Sequence, residues 1–549
     1  MTIPLMLSVT SCNLDFFPSD AITSEQLAAD PSGSVYSTDG NYSMFKDILE
    51  YRGTTYSGNS YIRHYFQMTE FQSDNICLSG RTTDPIYEAT CYKRDATLGN
   101  VTYLWWCAYR IIYGANAVIE MNEDGASDAI DHLRGENYFL RALCHLHLVT
   151  LWSKPYSLGR DNLGVVLRTS TSSTETKRAT VGEVYDQIVA DLLKAIDLMS
   201  KGSTRGNAGY VSKAAAQGLL SRVYLYMGEN QKVIDTADDM LAGADPSSKL
   251  EPTATYSSYF ANALTSVETL WAVAHTALET RGQESIGSMY LNDGLGWGEV
   301  YSSDPLNDLY DKNPNDLRTS FIKPVYDDTT KWMIRWPVAS ADDDSRSDEI
   351  EVVTKDGTGK YYYTDNSQKI YVQTETVNGY SQNYIILNGE KTRVRLSKKM
   401  SLRNSFPLFY VTKFSYQDND PMLSSPVMIR WAEVILNRAE AYAKIGGKDA
   451  EALADVNVIR TRAGLSGTQL FSAVNMQGYS NVLDVVLDER RLELAFEGHR
   501  AIDVYRNKLS MDREFAGVQP WEIVDYNDNK IQYYIPVDET SVSGITQNP

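Results

Sequence analysis

Hydrophobic positions recur with a helical period in two stretches of the chain, at about 95–245 and 427–507. In the second stretch the apolar residues follow the spacing i, i+3, i+4, i+7 and i+11, at Ala432, Ile435, Leu436, Ala439 and Ala443. This spacing puts them on one face of an α-helix over 431–444. Gly446 and Gly447 end that helix, and a partner with the same pattern follows over 449–462.

The same helix pair occurs earlier, with a helix at 214–227 that Gly228 ends and a partner at 231–241. In both copies a tyrosine, Tyr224 or Tyr442, lies four residues before the terminating glycine. The pattern is typical of a degenerate tetratricopeptide-like repeat, in which small residues let paired helices pack closely. Further helices are predicted at 103–122, 128–153, 180–200 and 481–507. The sequence therefore predicts a mainly α protein whose helix pairs stack into a curved, discontinuous solenoid.

The helical period fails between about 250 and 425. There, Gly, Asp, Asn and Ser separate short alternating runs such as those at 369–373 and 384–387. This pattern predicts a long loop-rich region with small hairpins, packed on the helical scaffold. Because ordering so much backbone is costly, we expect this region, together with loops at 60–94, to carry the binding function. The scaffold and loops are predicted to form a single domain over 31–549.

The amino terminus resembles an export signal. Residues 3–9 form an apolar run too short to span a bilayer, followed by small residues and Cys12. We predict a lipoprotein signal peptide at 1–11, lipidation of Cys12 and a polar tether at 12–30; a buried strand with an ordinary cysteine is the alternative. No later segment has 18 consecutive apolar residues, so an acyl chain would be the membrane anchor. Pairing is permitted but not required for the other cysteines, which are Cys77, Cys91, Cys107 and Cys144.

Composition and charge narrow the class of partner. Of 549 residues, 43% are hydrophobic and 22% are charged, which is typical of a globular protein with a sizeable core. The formal net charge of −20 argues against nucleic acid, because such a partner requires a basic surface. The chain has 37 Tyr and 9 Trp against 14 Phe, an excess that a plain apolar core does not require.

The charged motifs indicate structure rather than catalysis. Glu489, Glu493 and Glu497 form one stripe, whereas a glycosidase needs two carboxyl groups facing each other across a sugar about 5–10 Å apart. We predict that this stripe joins Arg430, Glu433 and Glu440 in a lattice of ion pairs. No nucleophile elbow, phosphate loop or zinc motif is present, so we predict no enzyme activity, no cofactor and no metal. Two acidic groups, at 342–344 and 311–316, could bind calcium, but we interpret both as solvated loop charge.

Loop aromatics with polar neighbours are the candidate binding residues. A neutral glycan presents flat patches of C–H bonds fringed by hydroxyls, and aromatic faces edged by polar side chains complement it. Three groups fit this description: Asp74, Asn75, Arg81 and Tyr92; Tyr290, Trp297 and Tyr301; Trp332 and Trp336. The alternative for each aromatic residue is packing of a loop onto the scaffold.

Several motifs, in this order, resemble the SusD/RagB family of glycan-binding lipoproteins of Bacteroidetes. They are Ser-Cys-Asn-Leu-Asp at 11–15, Tyr-Arg-Ile-Ile-Tyr-Gly-Ala-Asn at 109–116, and the segments at 134–142, 213–216, 316–318, 429–441, 458–464, 488–500 and 534–536. The resemblance implies a tetratricopeptide-like scaffold with a loop-built carbohydrate site, no catalysis, and a SusC-like TonB-dependent transporter as partner. It also implies a lipid anchor in the outer membrane, with the protein facing the cell exterior. Asp74 and Trp297 fall in the two segments where the family binds its ligand.

Two other functions stay open at this point. The solenoid could be a scaffold that binds a peptide or protein without binding sugar. The chain could also be a glycoside hydrolase, in which case replacing Glu493 would abolish sugar release.

Overall fold

The computed structural model describes residues 32–82, 84–339, 346–377 and 380–549. Cys12, the signal peptide, the tether and the acidic group at 342–344 lie outside these residues. The helices are α1 Gly33–Ser43, α2 Tyr61–Glu70, α3 Pro85–Thr90, α4 Gly99–Met121, α5 Asp128–Trp152, α6 Val181–Met199, α7 Lys213–Met227, α8 Asn230–Leu241, α9 Ile286–Tyr290, α10 Asp304–Asp311, α11 Trp431–Ile445, α12 Asp449–Arg462, α13 Val482–Glu493, α14 Arg500–Arg506 and α15 Val537–Ser541.

The helices α4 to α8 and α11 to α13 form the scaffold, as the hydrophobic pattern predicts. Each of α4 to α7 packs on the next helix, α8 packs on α11, and α11 packs on α12 and α13. The helices approach closely at small residues: a Cβ on Gly135 would lie 2.6 Å from Met199 Cγ. Gly228 ends α7 with φ 77°, and the next residue donates its N–H to the Tyr224 carbonyl at 2.9 Å. The predicted helix pairs are therefore confirmed.

The final predicted helix, 481–507, is two helices rather than one. Between α13 and α14 the backbone turns through positive φ at Phe496 (71°) and Gly498 (80°). The Gly498 N–H donates to Glu70 Oε2 at 2.8 Å, and a Cβ there would lie 2.6 Å from Thr69 Oγ1. A buried carboxylate on another helix thus interrupts a pattern that looks continuous in sequence.

The prediction of loops with small hairpins is wrong for the middle of the chain. The described residues between 326 and 400 form a seven-stranded antiparallel sheet. Its strands are β5 Tyr326–Ala339, β6 Arg346–Lys355, β7 Tyr361–Asp365, β8 Gln368–Tyr371, β9 Gln373–Val377, β10 Tyr380–Leu387 and β11 Glu390–Met400. The order of the strands across the sheet is β8-β7-β6-β5-β11-β10-β9. The shorter strands are β1 Ile76–Leu78, β2 Thr269–Ala272, β3 Val300–Ser302, β4 Ile322–Pro324, β12 Leu402–Arg403, β13 Phe406–Pro407, β14 Phe409–Val411, β15 Val427–Arg430, β16 Met511–Asp512 and β17 Ile523–Val524. The fold is thus helical with a substantial sheet region.

The large sheet curls until β8 approaches β10, so that it resembles a partly closed barrel. Its concave face has a hydrophobic core of its own, formed by Ile334, Trp336, Val353, Tyr363, Ile385 and Val394. The outer face joins the scaffold through ion pairs: Arg335 binds Asp304 of α10, and Arg395 binds Asp308 and Asp311 of the same helix. The sheet is therefore a distinct layer anchored by charge.

Arginine–carboxylate pairs connect the last helices to the rest of the molecule. Arg430 donates to Glu268 at 2.7 Å, to Glu493 at 2.6 Å and to Glu497 at 2.8 Å, and all four side chains are buried. Two further pairs, Arg222 with Glu433 and Arg506 with Glu440, extend the lattice. The predicted ion-pair lattice is confirmed.

Three negative findings hold for the described ranges. No helix there has both the length and the apolar character needed to cross a bilayer. Cys77, Cys91, Cys107 and Cys144 are free thiols. No group of three or more His, Cys, Asp or Glu side chains in this part of the chain could hold a metal ion.

Candidate carbohydrate site

The first predicted group lies mostly inside the protein. Asp74 and Asn75 are buried, and Asp74 binds Arg500 Nε at 2.8 Å and Arg491 at 3.2 Å. Burial by itself would raise the pKa of Asp74, but the two guanidinium groups outweigh it and hold the pKa well below its usual range. Asn75 donates to Glu70 and accepts from Arg491. The prediction that these two residues contact a ligand is wrong, because both are buried and their polar side-chain atoms bind Glu70 of α2 and the arginines of the last helices.

Three of the predicted tyrosines are also buried. The Tyr92 hydroxyl lies 2.5 Å from both the Gln72 carbonyl oxygen and the Tyr505 hydroxyl, and burial raises its pKa to about 12. Tyr290 stacks on Phe414 with ring centroids 5.7 Å apart. Tyr301, on β3, is 1% exposed. These rings pack inside the fold, so predicting them as ligand contacts is wrong.

Trp332 and Trp336 belong to the curled sheet. Each lies two positions from Ile334, one before it and one after it. Because side chains alternate along a strand with a period of two, both tryptophans point to the same face of β5 as Ile334. Trp336 is buried in the barrel-like core, so its predicted ligand contact is wrong. Trp332 is half-buried at the margin of that core, with its ring 5.2 Å from Tyr361 and 4.2 Å from Lys398 Nζ. The third predicted tryptophan, Trp297, lies on a different element, the loop between α9 and β3.

Trp297 is the predicted aromatic that the structure does expose, with 47% of its surface accessible. It lies in the loop between α9 and β3, which folds back so that the Trp297 N–H donates to the Ser288 carbonyl at 2.7 Å. The indole Nε1–H donates to the Gln283 carbonyl at 3.1 Å. The glycines permit this path: a Cβ on Gly296 would lie 1.8 Å from the Leu291 carbonyl oxygen, and Gly298 has φ 54°. The ring is therefore held in one place while nearly half of the residue's surface stays open to solvent.

Arg403 fixes the carboxyl side of the same loop. Its guanidinium donates to the carbonyl oxygens of Trp297 at 2.8 Å and Gly298 at 3.2 Å, and to Glu299 Oε1 at 2.9 Å. Arg403 is half-buried and ends β12, where a two-residue turn leads into β13. The arrangement places a cation and a carboxylate, paired with each other, on the carboxyl side of the Trp297 loop.

The pairing of β1 with β3 brings Arg81 towards this loop. The Ser79 N–H donates to the Glu299 carbonyl at 3.1 Å, and Asn404 Nδ2 donates to the Ser79 carbonyl at 2.9 Å. Arg81 follows two residues later and is exposed. Of the nine predicted ligand residues, Arg81 and Trp297 thus lie on loops that meet at the protein surface.

A tyrosine supplies a second ring near the amino-terminal half of the Trp297 loop. The Tyr416 hydroxyl donates to Asp293 Oδ2 at 3.0 Å and accepts from Lys323 Nζ at 3.1 Å. Lys323 Nζ also lies 4.3 Å from the centre of the Tyr416 ring. We call the set Arg81, Asp293, Trp297, Glu299, Arg403, Asn404 and Tyr416 the Trp297 surface.

The sequence analysis missed Glu299, Arg403, Asn404 and Tyr416. Arg403 lies more than a hundred positions from Trp297, so no local spacing joins them. One sequence signal was available: Asn404 and Ser405 stand between β-prone residues, and an Asn-containing pair in that position is typical of a tight hairpin. In the structure both residues have positive φ, as such a turn requires. Such a turn would have marked the neighbouring Arg403 as a loop residue at the surface.

Comparisons with known proteins agree over most of the chain. A family model described as "SusD family" matches residues 268–545, and another described as "Starch-binding associating with outer membrane" matches residues 41–225. The SusD-like protein P2 of Formosa agariphila is 25% identical over 457 residues, which cover 80% of this chain and 77% of the relative.

Solved structures share the fold. A SusD superfamily protein from Bacteroides thetaiotaomicron superposes with a TM-score of 0.69 at 23% identity, covering 94% of this chain and 99% of that one. A laminarin-binding SusD-like protein superposes with a TM-score of 0.58 at 20% identity, covering 95% and 99%.

Proposed function

The chain belongs to the SusD family, and from this premise we propose that it binds a neutral glycan through the Trp297 surface. The observation that carries the proposal is a fixed, half-exposed indole with hydrogen-bonding side chains around it. A pyranose ring can lay its C–H face on the indole while its hydroxyls meet Asn404, Arg81 and the edge of Glu299. The net charge of −20 favours a neutral ligand over an anionic one.

We also propose that binding is not accompanied by catalysis. Around Trp297, Glu299 is paired with Arg403 and Asp293 accepts from Tyr416, so neither carboxylate is placed as a free acid or base. Glu493, the residue a glycosidase hypothesis would use, is 0% exposed and binds Arg430 and Arg462. A sugar cannot reach it without dismantling the lattice.

Location and partner follow from the family premise and the amino-terminal sequence. A family model whose description places its members at the outer membrane supports attachment there. We propose that Cys12 carries the lipid anchor, that the protein faces the cell exterior, and that it passes its glycan to a SusC-like TonB-dependent transporter.

Calorimetric titration with a glycan panel that includes laminarin and starch tests the binding proposal. We expect at least one glycan to bind, and Trp297→Ala to weaken that binding at least about tenfold, because stacking on the indole is lost. Tyr36→Ala is the matched control, since Tyr36 is also exposed and lies on α1. No binding across the panel, or equal affinity in the Trp297→Ala variant, would contradict the proposal.

The partner proposal needs a separate measurement. Purification of the native protein from outer membranes should recover a transporter, and the Trp297→Ala variant should recover it equally well. If no glycan binds to the wild-type protein and the Trp297→Ala variant still recovers the transporter, the results would instead favour the protein-scaffold function.

A further inference from the structure

A second concave site lies on the helical scaffold, away from the Trp297 surface. A cavity of about 380 Å³ opens between α4, the segment at 166–173 and the carboxyl-terminal residues 539–545. It shares no residue with the Trp297 surface. Small-molecule sites commonly have volumes of about 300–1,000 Å³, so this cavity has room for a small ligand.

One wall of the cavity is a row of aromatic rings on α4. Trp106, Tyr109 and Tyr113 follow one another at spacings of three and four residues, which puts them on successive turns of one helix face. Tyr51 lies against Trp106 with ring centroids 4.9 Å apart, and the Tyr109 hydroxyl donates to the Val166 carbonyl at 2.9 Å. These contacts hold two of the rings in place. Tyr113 is 59% exposed.

The opposite wall is polar and is also held in position. Thr171 donates its N–H and its hydroxyl to Glu120, at 2.9 and 2.5 Å. The Arg168 carbonyl accepts from Asn116 at 3.2 Å, and its guanidinium donates to the Ser173 carbonyl. The hydroxyls of Ser170 and Ser173 and the carboxylate of Glu539 complete this rim.

We propose that this cavity is a second saccharide-binding site, which accepts one or two pyranose rings. Its aromatic wall suits the C–H face of a sugar, and its hydroxyls, Arg168 and Glu539 suit the hydroxyl fringe. A purely apolar ligand would shield these polar groups from water without offering them hydrogen bonds, which is costly. Among the residues that line the cavity, the charged ones are Arg168 and Glu539, so the lining has no net charge, which favours a neutral ring. A chain with two sites could hold two points of one polysaccharide, and so gain avidity.

Saturation-transfer NMR on the full chain tests this site. The probes are mono- and disaccharides of gluco, galacto, manno and xylo configuration, applied to a Trp297→Ala variant so that the Trp297 surface does not contribute. We expect at least one disaccharide to give a saturable signal. Adding Tyr113→Ala to this variant should weaken the affinity for the disaccharide at least about tenfold. Adding Glu539→Gln instead should weaken it about threefold.

Tyr326→Ala is the matched control, because Tyr326 is a similarly exposed tyrosine on β5. It should leave the affinity unchanged, and all variants should keep the wild-type melting temperature. Absence of any saturable signal in the Trp297→Ala background, or equal affinity in its Tyr113→Ala and Glu539→Gln derivatives, would overturn the proposal. If the Trp297 surface bound no glycan, the disaccharide signal from the cavity would still be expected. Either proposal can therefore fail without the other.

Discussion

At the scale of single residues, Trp297 is both exposed and fixed, because its backbone is hydrogen-bonded to other parts of the protein. Its own N–H, its indole N–H and its carbonyl all have protein partners, so the ring has little freedom left to lose when a ligand binds. Ordering a side chain on binding costs roughly 0.5–1.5 kcal/mol, and a ring that is already ordered avoids much of that cost. Under the proposed function, a glycan would therefore bind to a ring that is already ordered.

Arg403→Gln should weaken glycan binding without unfolding the protein. The change removes a charged donor from the Trp297 and Gly298 carbonyls and from Glu299, so the loop becomes less ordered. A loss of about 1 kcal/mol, or roughly fivefold in affinity, is expected by calorimetry. Arg393→Gln is the control, since Arg393 is also a partly exposed, ion-paired arginine. Identical affinities for the two variants would count against the role of Arg403.

Glu136 should make the stability of the scaffold depend on pH. This carboxyl is buried beside Tyr42 and Arg205; burial raises its pKa to about 7, an effect that Arg205 and Tyr42 only partly offset. A folded-state pKa above the unfolded value means that stability is fully present at low pH and is lost as the pH rises through about 7.

Glu136→Gln cannot ionise, so the stability of this variant relative to wild type should rise between about pH 5 and about pH 8, by on the order of 1–3 kcal/mol. Urea denaturation at the two pH values measures the difference. Parallel pH profiles for wild type and variant would show that Glu136 does not titrate in this range.

At the scale of elements, the curled sheet is a self-contained core attached to the scaffold. Its concave face packs on itself, whereas its outer face meets α10 through Arg335 and Arg395. A layer of this kind can change without altering the helix stack. The Trp297 loop, by contrast, connects α9 to β3 and so belongs to the scaffold side.

Trp336→Ala should destabilise the sheet and leave glycan binding unchanged. Removing a buried tryptophan opens a cavity in the barrel-like core, at a cost of about 3–5 kcal/mol. Hydrogen exchange should accelerate in β5, β6 and β7 but not in α4 or α5, and calorimetry should give the wild-type affinity. A loss of glycan binding with unchanged exchange in the sheet would restore Trp336 as a ligand contact.

The helices could be predicted from sequence, but the barrel-like sheet and most of the site could not. Helical periodicity depends on residues three and four apart, so α7, α8, α11 and α12 are visible locally. The sheet pairs β5 with β11, about 60 residues apart, and a local pattern cannot show such pairing. Asp74 and Tyr92 have the composition of a binding loop, yet their partners lie in α13 and α14, more than 400 positions away. Trp297 could be predicted because its local sequence shows an aromatic residue in a loop with polar neighbours.

At the scale of the whole molecule, the charge of −20 divides into an internal and an external part. Buried carboxylates such as Glu493 and Glu497 are matched by arginines, and those arginines depress the pKa of both carboxyl groups despite burial. They therefore hold the fold together at neutral pH. The remaining acidic surface disfavours anionic partners and leaves neutral glycans as the expected ligand.

The decisive measurement for the proposed glycan site is a crystal structure of the protein with a bound oligosaccharide from the calorimetric panel. We expect a pyranose ring stacked on the face of Trp297, with its hydroxyls within hydrogen-bond distance of at least one of Arg81, Asn404 and Glu299. An oligosaccharide bound elsewhere, with the Trp297 face still open to solvent, would contradict it.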